Sequence, residues 1–239
     1  MRKLVILGIV LLAGSGVALA DGLPTGWTCN GSCGTLGANG VVPTPPSGSS
    51  YEWISTFGSK CIKCAVLPSG SPIGGEETNG STLISPTFSA TAGSLLGVFV
   101  DYVSSDGGIP IDYAWAALFT SSNTLVAVIF TDQTDVVTMA STGTTWSPLG
   151  IPSSGSCAGT GCGNTGWTDE SYTIGAAGSY YVEFGVTNVY DQLDDSGLAI
   201  NDLNLNGVPI GKPVPEPATL GLLAMAFGGL AQLRRRRPA

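Results

Sequence analysis

Leu96, Val98, Val100 and Tyr102 occupy every second position of LLGVFVDYVS, and Tyr180, Val182, Phe184 and Val186 do the same in SYYVEFGVTNVY. Side chains two residues apart share one face of a strand, so each stretch reads as a strand that buries one face. Ile111, Tyr113, Trp115 and Phe119 share one parity in IDYAWAALF, and TLVAVIFT and TDVVTM add two further candidates. In GLAINDLNLNG the apolar parity changes between Ile200 and Leu203, which predicts a bulge. No helical period interrupts this series, and 35 Gly and 15 Pro disfavour helices throughout. The expected fold is all-β: a single β-sandwich or jelly-roll-like domain over residues 81–210. Residues 21–80 read as a loop-rich segment, high in Gly, Pro and Cys, stapled to that domain. Its only strand-like pieces are YEWIST at 51–56 and CIKCAV at 61–66.

The chain contains no histidine, which excludes Ser/His/Asp triads, Cys/His dyads and every His-ligated metal site. Six of its nine basic residues sit at the extremes: Arg2, Lys3 and Arg234 to Arg237. Between Asp21 and Pro213 three lysines face sixteen Asp and Glu, a balance of −13. A field of that sign repels phosphate backbones, so no nucleic-acid partner is expected.

Both ends read as addresses. Residues 1–20 combine a basic start at Arg2 and Lys3, an apolar run, and small residues at Ala18 and Ala20. These are the three parts of a cleavable export signal cut after Ala20, with export machinery and signal peptidase as partners. At the other end, residues 218–233 form an apolar stretch of about 24 Å as a helix, against roughly 30 Å of bilayer hydrocarbon, a marginal span. Four arginines after it would hold that end on the cytoplasmic side. Pro215 and Pro217 keep the preceding stretch extended and accessible to a processing enzyme.

Pro215-Glu216-Pro217, a short apolar helix and the cluster Arg234, Arg235, Arg236 and Arg237 closely resemble the PEP-CTERM sorting signal of bacteria that export proteins alongside exopolysaccharide. The resemblance implies an exosortase-type membrane enzyme that recognises residues 215–237 and removes the tail, with residues 211–214 as linker. It also implies transient membrane anchoring, then a cell-surface or extracellular location with exopolysaccharide as a candidate partner. DYVSSDGGIPIDYAWA and the stretch from Phe184 to Ile210 are similar to jelly-roll modules carried by many PEP-CTERM proteins. Asp195-Ser196-Gly197-Leu198-Ala199-Ile200 fits the last-strand pattern of those modules, while Asn201 and Leu203 depart from it.

Six cysteines fall in three close pairs: Cys29 and Cys33, Cys61 and Cys64, Cys157 and Cys162. In an oxidising compartment an even count points to disulfides, and nearest-neighbour pairing suits Cys157 and Cys162 in a flexible loop. A four-cysteine zinc site from the first two pairs and a redox pair at Cys61 and Cys64 are the alternatives. Acidic residues gather at Asp101, Asp106 and Asp112, and again at Asp191, Asp194, Asp195 and Asp202. Calcium is a candidate cofactor, at Asp191, Asp194 and Asp195, against the plainer reading of solvated turn residues. Tyr113 and Trp115 are read as core in preference to a sugar-stacking platform, a role better suited to Trp146 and Trp167. Asp101, Asp112 and Glu183 are the carboxylates whose separation would decide glycoside hydrolysis, but no pair stands out. The expected function is a non-catalytic surface or matrix protein, structural or adhesive in an exopolysaccharide setting. A carbohydrate- or calcium-binding module is the alternative, and a glycan-active hydrolase ranks third.

Overall fold

A computed structural model describes residues 22–106, 111–134, 147–149 and 163–211. The anticipated N-terminal signal helix, the C-terminal apolar helix, Cys157, Cys162, Trp146 and most of TDVVTM lie outside the described residues. Among the described residues no helix is long and apolar enough to cross a membrane.

Among the described residues fourteen strands pair antiparallel into two seven-stranded sheets. In the first, β1 (Thr28–Asn30), β5 (Glu77–Ile84), β12 (Gly178–Val189), β8 (Tyr113–Thr120) and β9 (Leu125–Gln133) lie in that order. Two short strands join it, β4 (Cys61–Ile62) on β5 and β6 (Phe88–Ala90) on β12. The second runs β10 (Gly163–Asn164), β7 (Leu95–Ser104), β13 (Ser196–Leu205), β3 (Tyr51–Ser55) and β2 (Ser32–Leu36). There β11 (Thr168–Thr173) extends β7, and β14 (Val208–Pro209) folds back on β13 through Asn206 and Gly207, both at positive φ as a tight hairpin turn requires.

The two alternating runs behave as their period dictates. Leu96, Val98, Val100 and Tyr102 from β7 meet Tyr180, Val182, Phe184 and Val186 from β12 in the central core, joined by Leu198, Ile200 and Leu203. The predicted bulge in β13 is present: its register against β7 slips between Asn201 and Asn204, with Asp202 at positive φ. The β8 stretch has the expected period, but its large side chains face away from the central core. Ala114, Ala116 and Leu118 point inward, while Tyr113, Trp115 and Phe119 form a second cluster on the outer face with Leu67 and Val189. Small inner residues let the sheets approach, and the bulky outer ones need a cover. Residues 63–76 supply it. Trp115 Nε1 donates to the Ala65 carbonyl at 2.8 Å, and Tyr113 donates to Glu77 Oε1 at 2.9 Å while accepting from the Leu67 amide.

The other sheet is covered in the same manner. Val41 and Val42 pack with Tyr51, Val103, Leu149 and Ala199 on its outer face. Asn201 holds this strap down, donating to the Ser47 and Ser50 carbonyls and accepting from the Ser47 amide, each at 3.0 Å. Asn164 Nδ2 and Trp167 Nε1 bond the Val41 and Pro43 carbonyls. Residues before 81 therefore contribute β1 to β4, the first half of β5 and two covering layers.

Cys29–Cys33 and Cys61–Cys64 are disulfides, so the four sulfurs offer no zinc site. The first ties β1 to β2 and the second closes the loop that follows the start of β4; β1 and β4 together line one edge of β5.

Gly185 pairs with Trp115 across β12 and β8, and the indole lies where a Cβ would project. Gly185→Ala should displace Trp115, loosen the 63–76 cover and cost about 1–3 kcal/mol, measured by urea denaturation.

Candidate functional site

The expected carboxylates do not converge. β7 turns its even-numbered residues from 96 to 102 into the core, so Asp101 lies on the outer face of its sheet; by the same rule Glu183 lies on the outer face of the other. The two are on opposite sides of the sandwich. Asp112 lies between the sheets at one end. Its Oδ2 accepts from Ser196 at 2.8 Å and its Oδ1 from the Val189 amide at 3.1 Å. Burial pushes this carboxyl well up, aided by the negative charges of Asp106 and Asp191.

Of the calcium candidates, Asp191 accepts from the Leu193 amide at 2.9 Å, closing a local turn, and Asp195 accepts from the Thr56 hydroxyl at 3.0 Å. Asp194 is exposed, at positive φ. Among the described residues no group of three or more His, Cys, Asp or Glu could hold a metal ion. Asp202 sits in the β13 bulge.

Of the aromatic candidates named from the sequence, the three among the described residues are structural. Tyr113 and Trp115 are fully buried, and Trp167 is committed to the Pro43 carbonyl and an edge-to-face contact with Tyr51 at 5.7 Å. An aromatic surface exists elsewhere, on Trp53 and Phe57. Trp53 faces Gly34 across β3 and β2, and a Cβ at Gly34 would come within 2.9 Å of the indole. Only glycine lets this ring lie down on the neighbouring strand. Around it opens a groove of about 840 Å³ lined by Leu23, Gly34, Leu36, Trp53, Phe57 and Pro148, with no charged residue among the described residues of its walls. Phe57 is 41% exposed, Trp53 is partly exposed, and Trp53 Nε1 and Thr35 Oγ1 have no hydrogen-bond partner. YEWIST already marked Trp53 as a strand residue, but its site depends on Gly34, nineteen positions earlier, and that pairing leaves no local pattern.

Beneath the strap over the second sheet, Asp101 receives the Thr165 hydroxyl on Oδ1 at 3.3 Å, while its Oδ2 and the Tyr51 hydroxyl have no partner. Burial pushes the Asp101 carboxyl up to about 7 against the lowering effect of Thr165 and Gly166. Burial and the charge of Glu170 bring Asp132 to about 6.

Residues 213–237 match the PEP-CTERM protein-sorting motif, a match that contains Pro215, Glu216, Pro217 and the four arginines. No curated protein matches the chain. Among solved structures, the K1 cleaved adhesin domain of Lys-gingipain from Porphyromonas gingivalis W83 is similar at 14% identity and a TM-score of 0.42, over 78% of this chain and 93% of that one. TmCBM61, solved in complex with β-1,4-galactotriose, has 12% identity and a TM-score of 0.39 over 77% and 90%. The C-terminal family 22 carbohydrate-binding module of Clostridium thermocellum Xyn10B has 14% and 0.34 over 81% and 92%.

The raised carboxyls fix the sign of a pH dependence. Below about pH 4 Asp101 is protonated both folded and unfolded; between there and about pH 7 only the unfolded chain gives up the proton, so stability falls as pH rises and levels off above 7. Asp101→Asn should remove most of that fall, making the variant more stable than the parent at pH 8 by about 3 kcal/mol and little different at pH 4. Urea midpoints at the two pH values check this; an equal loss at both would mean that the carboxyl is needed ionised.

Proposed function

We propose that this exported chain, which carries a PEP-CTERM sorting motif, is a non-catalytic surface or matrix protein that adheres to polysaccharide through the Trp53 groove. The groove is the observation that carries the reading. An indole fixed on Gly34 beside exposed Phe57 offers a preformed apolar platform, and the C–H face of a pyranose ring stacks on such a surface at little entropic cost. The described residues of its walls are uncharged while the body around them is strongly acidic, so a neutral glycan is favoured over an anionic one. A non-catalytic role is supported by the separation of Asp101 from Glu183 on opposite faces and by the absence of histidine from the chain. Tail removal by an exosortase-type enzyme would leave the domain free to be retained by this binding alone.

Two measurements test the reading. Intact mass of the protein from its native host should correspond to residue 21 through about 215–217, and should rise on reduction by one hydrogen per cysteine; a mass that keeps the apolar tail would make it a permanently anchored protein. A panel of neutral polysaccharides presented to the full chain should yield binding that falls about tenfold in Trp53→Ala and about threefold in Phe57→Ala, with the melting temperature of the second variant unchanged. Binding unaffected by either variant, or absent throughout the panel, overturns the groove assignment.

A further inference from the structure

The two ends of the sandwich differ in charge. At one, β7 begins, β13 ends, β12 begins and β8 turns into β9. The connections there, residues 91–94, 121–124, 174–177 and 206–207, hold no Asp, Glu, Lys or Arg, and neither do 24–27, 85–87 and 210–211. Gly211 comes close to Trp27 and Pro86 at this end, as Gly26 does to Pro86, so these stretches share one place. At the opposite end lie Lys60, Asp106, Asp112, Asp191, Asp194 and Asp195. The uncharged end is also apolar. Leu95 is 49% exposed and Val208 65%, and beside them Pro86, Phe88, Val208 and Ile210 line a shallow groove of about 480 Å³.

Gly211 is where the chain leaves the domain towards the matched motif. Only residues 212–217 separate it from the apolar run starting at Ala218, a tether of roughly 25 Å when fully extended. A domain on so short a tether must present some face to the bilayer. A body of charge −13 is repelled from anionic headgroups within about 10 Å, so its uncharged face is the one that can close the distance.

We propose that the uncharged end, with Leu95 and Val208 foremost, is a membrane-contacting surface that seats the domain on lipid while the tail is in place. The contact is weak and works with the tether, because two exposed aliphatic side chains do not anchor a protein by themselves. It orients the domain with its acidic end outward. The inference rests on the reading of residues 213–237 as a membrane-inserted tail.

Hydroxyl-radical footprinting of the full chain, reconstituted in vesicles of phosphatidylethanolamine and phosphatidylglycerol, tests it. Leu193 and Tyr190, 69% and 60% exposed at the charged end, serve as internal references. Oxidation of Leu95 and Val208 should fall about threefold or more below what their exposures predict relative to those references. In Leu95→Asp, oxidation of Val208 should return to the level its exposure predicts. Reactivity of Leu95 and Val208 in proportion to exposure overturns the proposal, as does protection of Leu193 and Tyr190 in their place. Protection that requires membrane extract from the host identifies a protein partner instead and overturns contact with lipid. Vesicle flotation separates the two levels: a chain that floats without protection defeats only the seating surface, and one that does not float defeats the tail reading and the seating with it.

Discussion

Part of each sheet of this molecule is covered on its outer face as well as its inner one, and much of the rest of its structure follows from that. A sheet of ordinary alternation leaves one face to solvent, but β8 buries alanines inward and Tyr113, Trp115 and Phe119 outward. The bulky outward row is stable only while residues 63–76 lie over it, and Tyr51 and Val103 depend on residues 37–50 in the same way. Each cover lacks regular backbone pairing of its own and is fastened by side chains that reach its carbonyls: Trp115 for one, Asn201, Asn164 and Trp167 for the other. The polar residues of the strands are thus as necessary as the apolar ones.

This arrangement explains how much of the fold could be read from sequence. β7 and β12 were legible because their alternation is uninterrupted, and the β13 bulge because a parity change has few other causes. β5 was not, since ETNGSTLI looks like a loop. Its Asn79 and Ser81 are buried, bonded to the Thr56 and Ser55 carbonyls, so polar side chains serve where apolar ones are usual. The N-terminal segment read as loop-rich for a related reason: its residues contribute short edge strands and covers, and only the partner elements reveal that role. Asn201, which departs from the module's last-strand pattern, donates two hydrogen bonds to the strap, which a carboxylate could not do.

The groove was hidden for a reason of a different kind. Aromatic residues were visible as candidates, yet whether each lies in a core or on a platform is set by what sits across the sheet. Trp115 and Trp53 both lie on a glycine of the adjacent strand. One is sealed by residues 63–76, whereas the other borders open space. Burial of Asp101, and with it the raised carboxyl, is likewise a product of the strap and left no mark in the stretch around it.

The two disulfides have a consequence for the order of events after export. Each joins cysteines only four or three residues apart, so the correct partner is the nearest one along the chain and is met far more often than any other. A chain threaded outward from its N-terminus can oxidise these pairs before β5, β8 or β12 has emerged. Correct pairing then precedes folding and needs no later exchange, and β1, tied to β2, and β4, closed by its own loop, are constrained in advance at the edge that β5 will occupy.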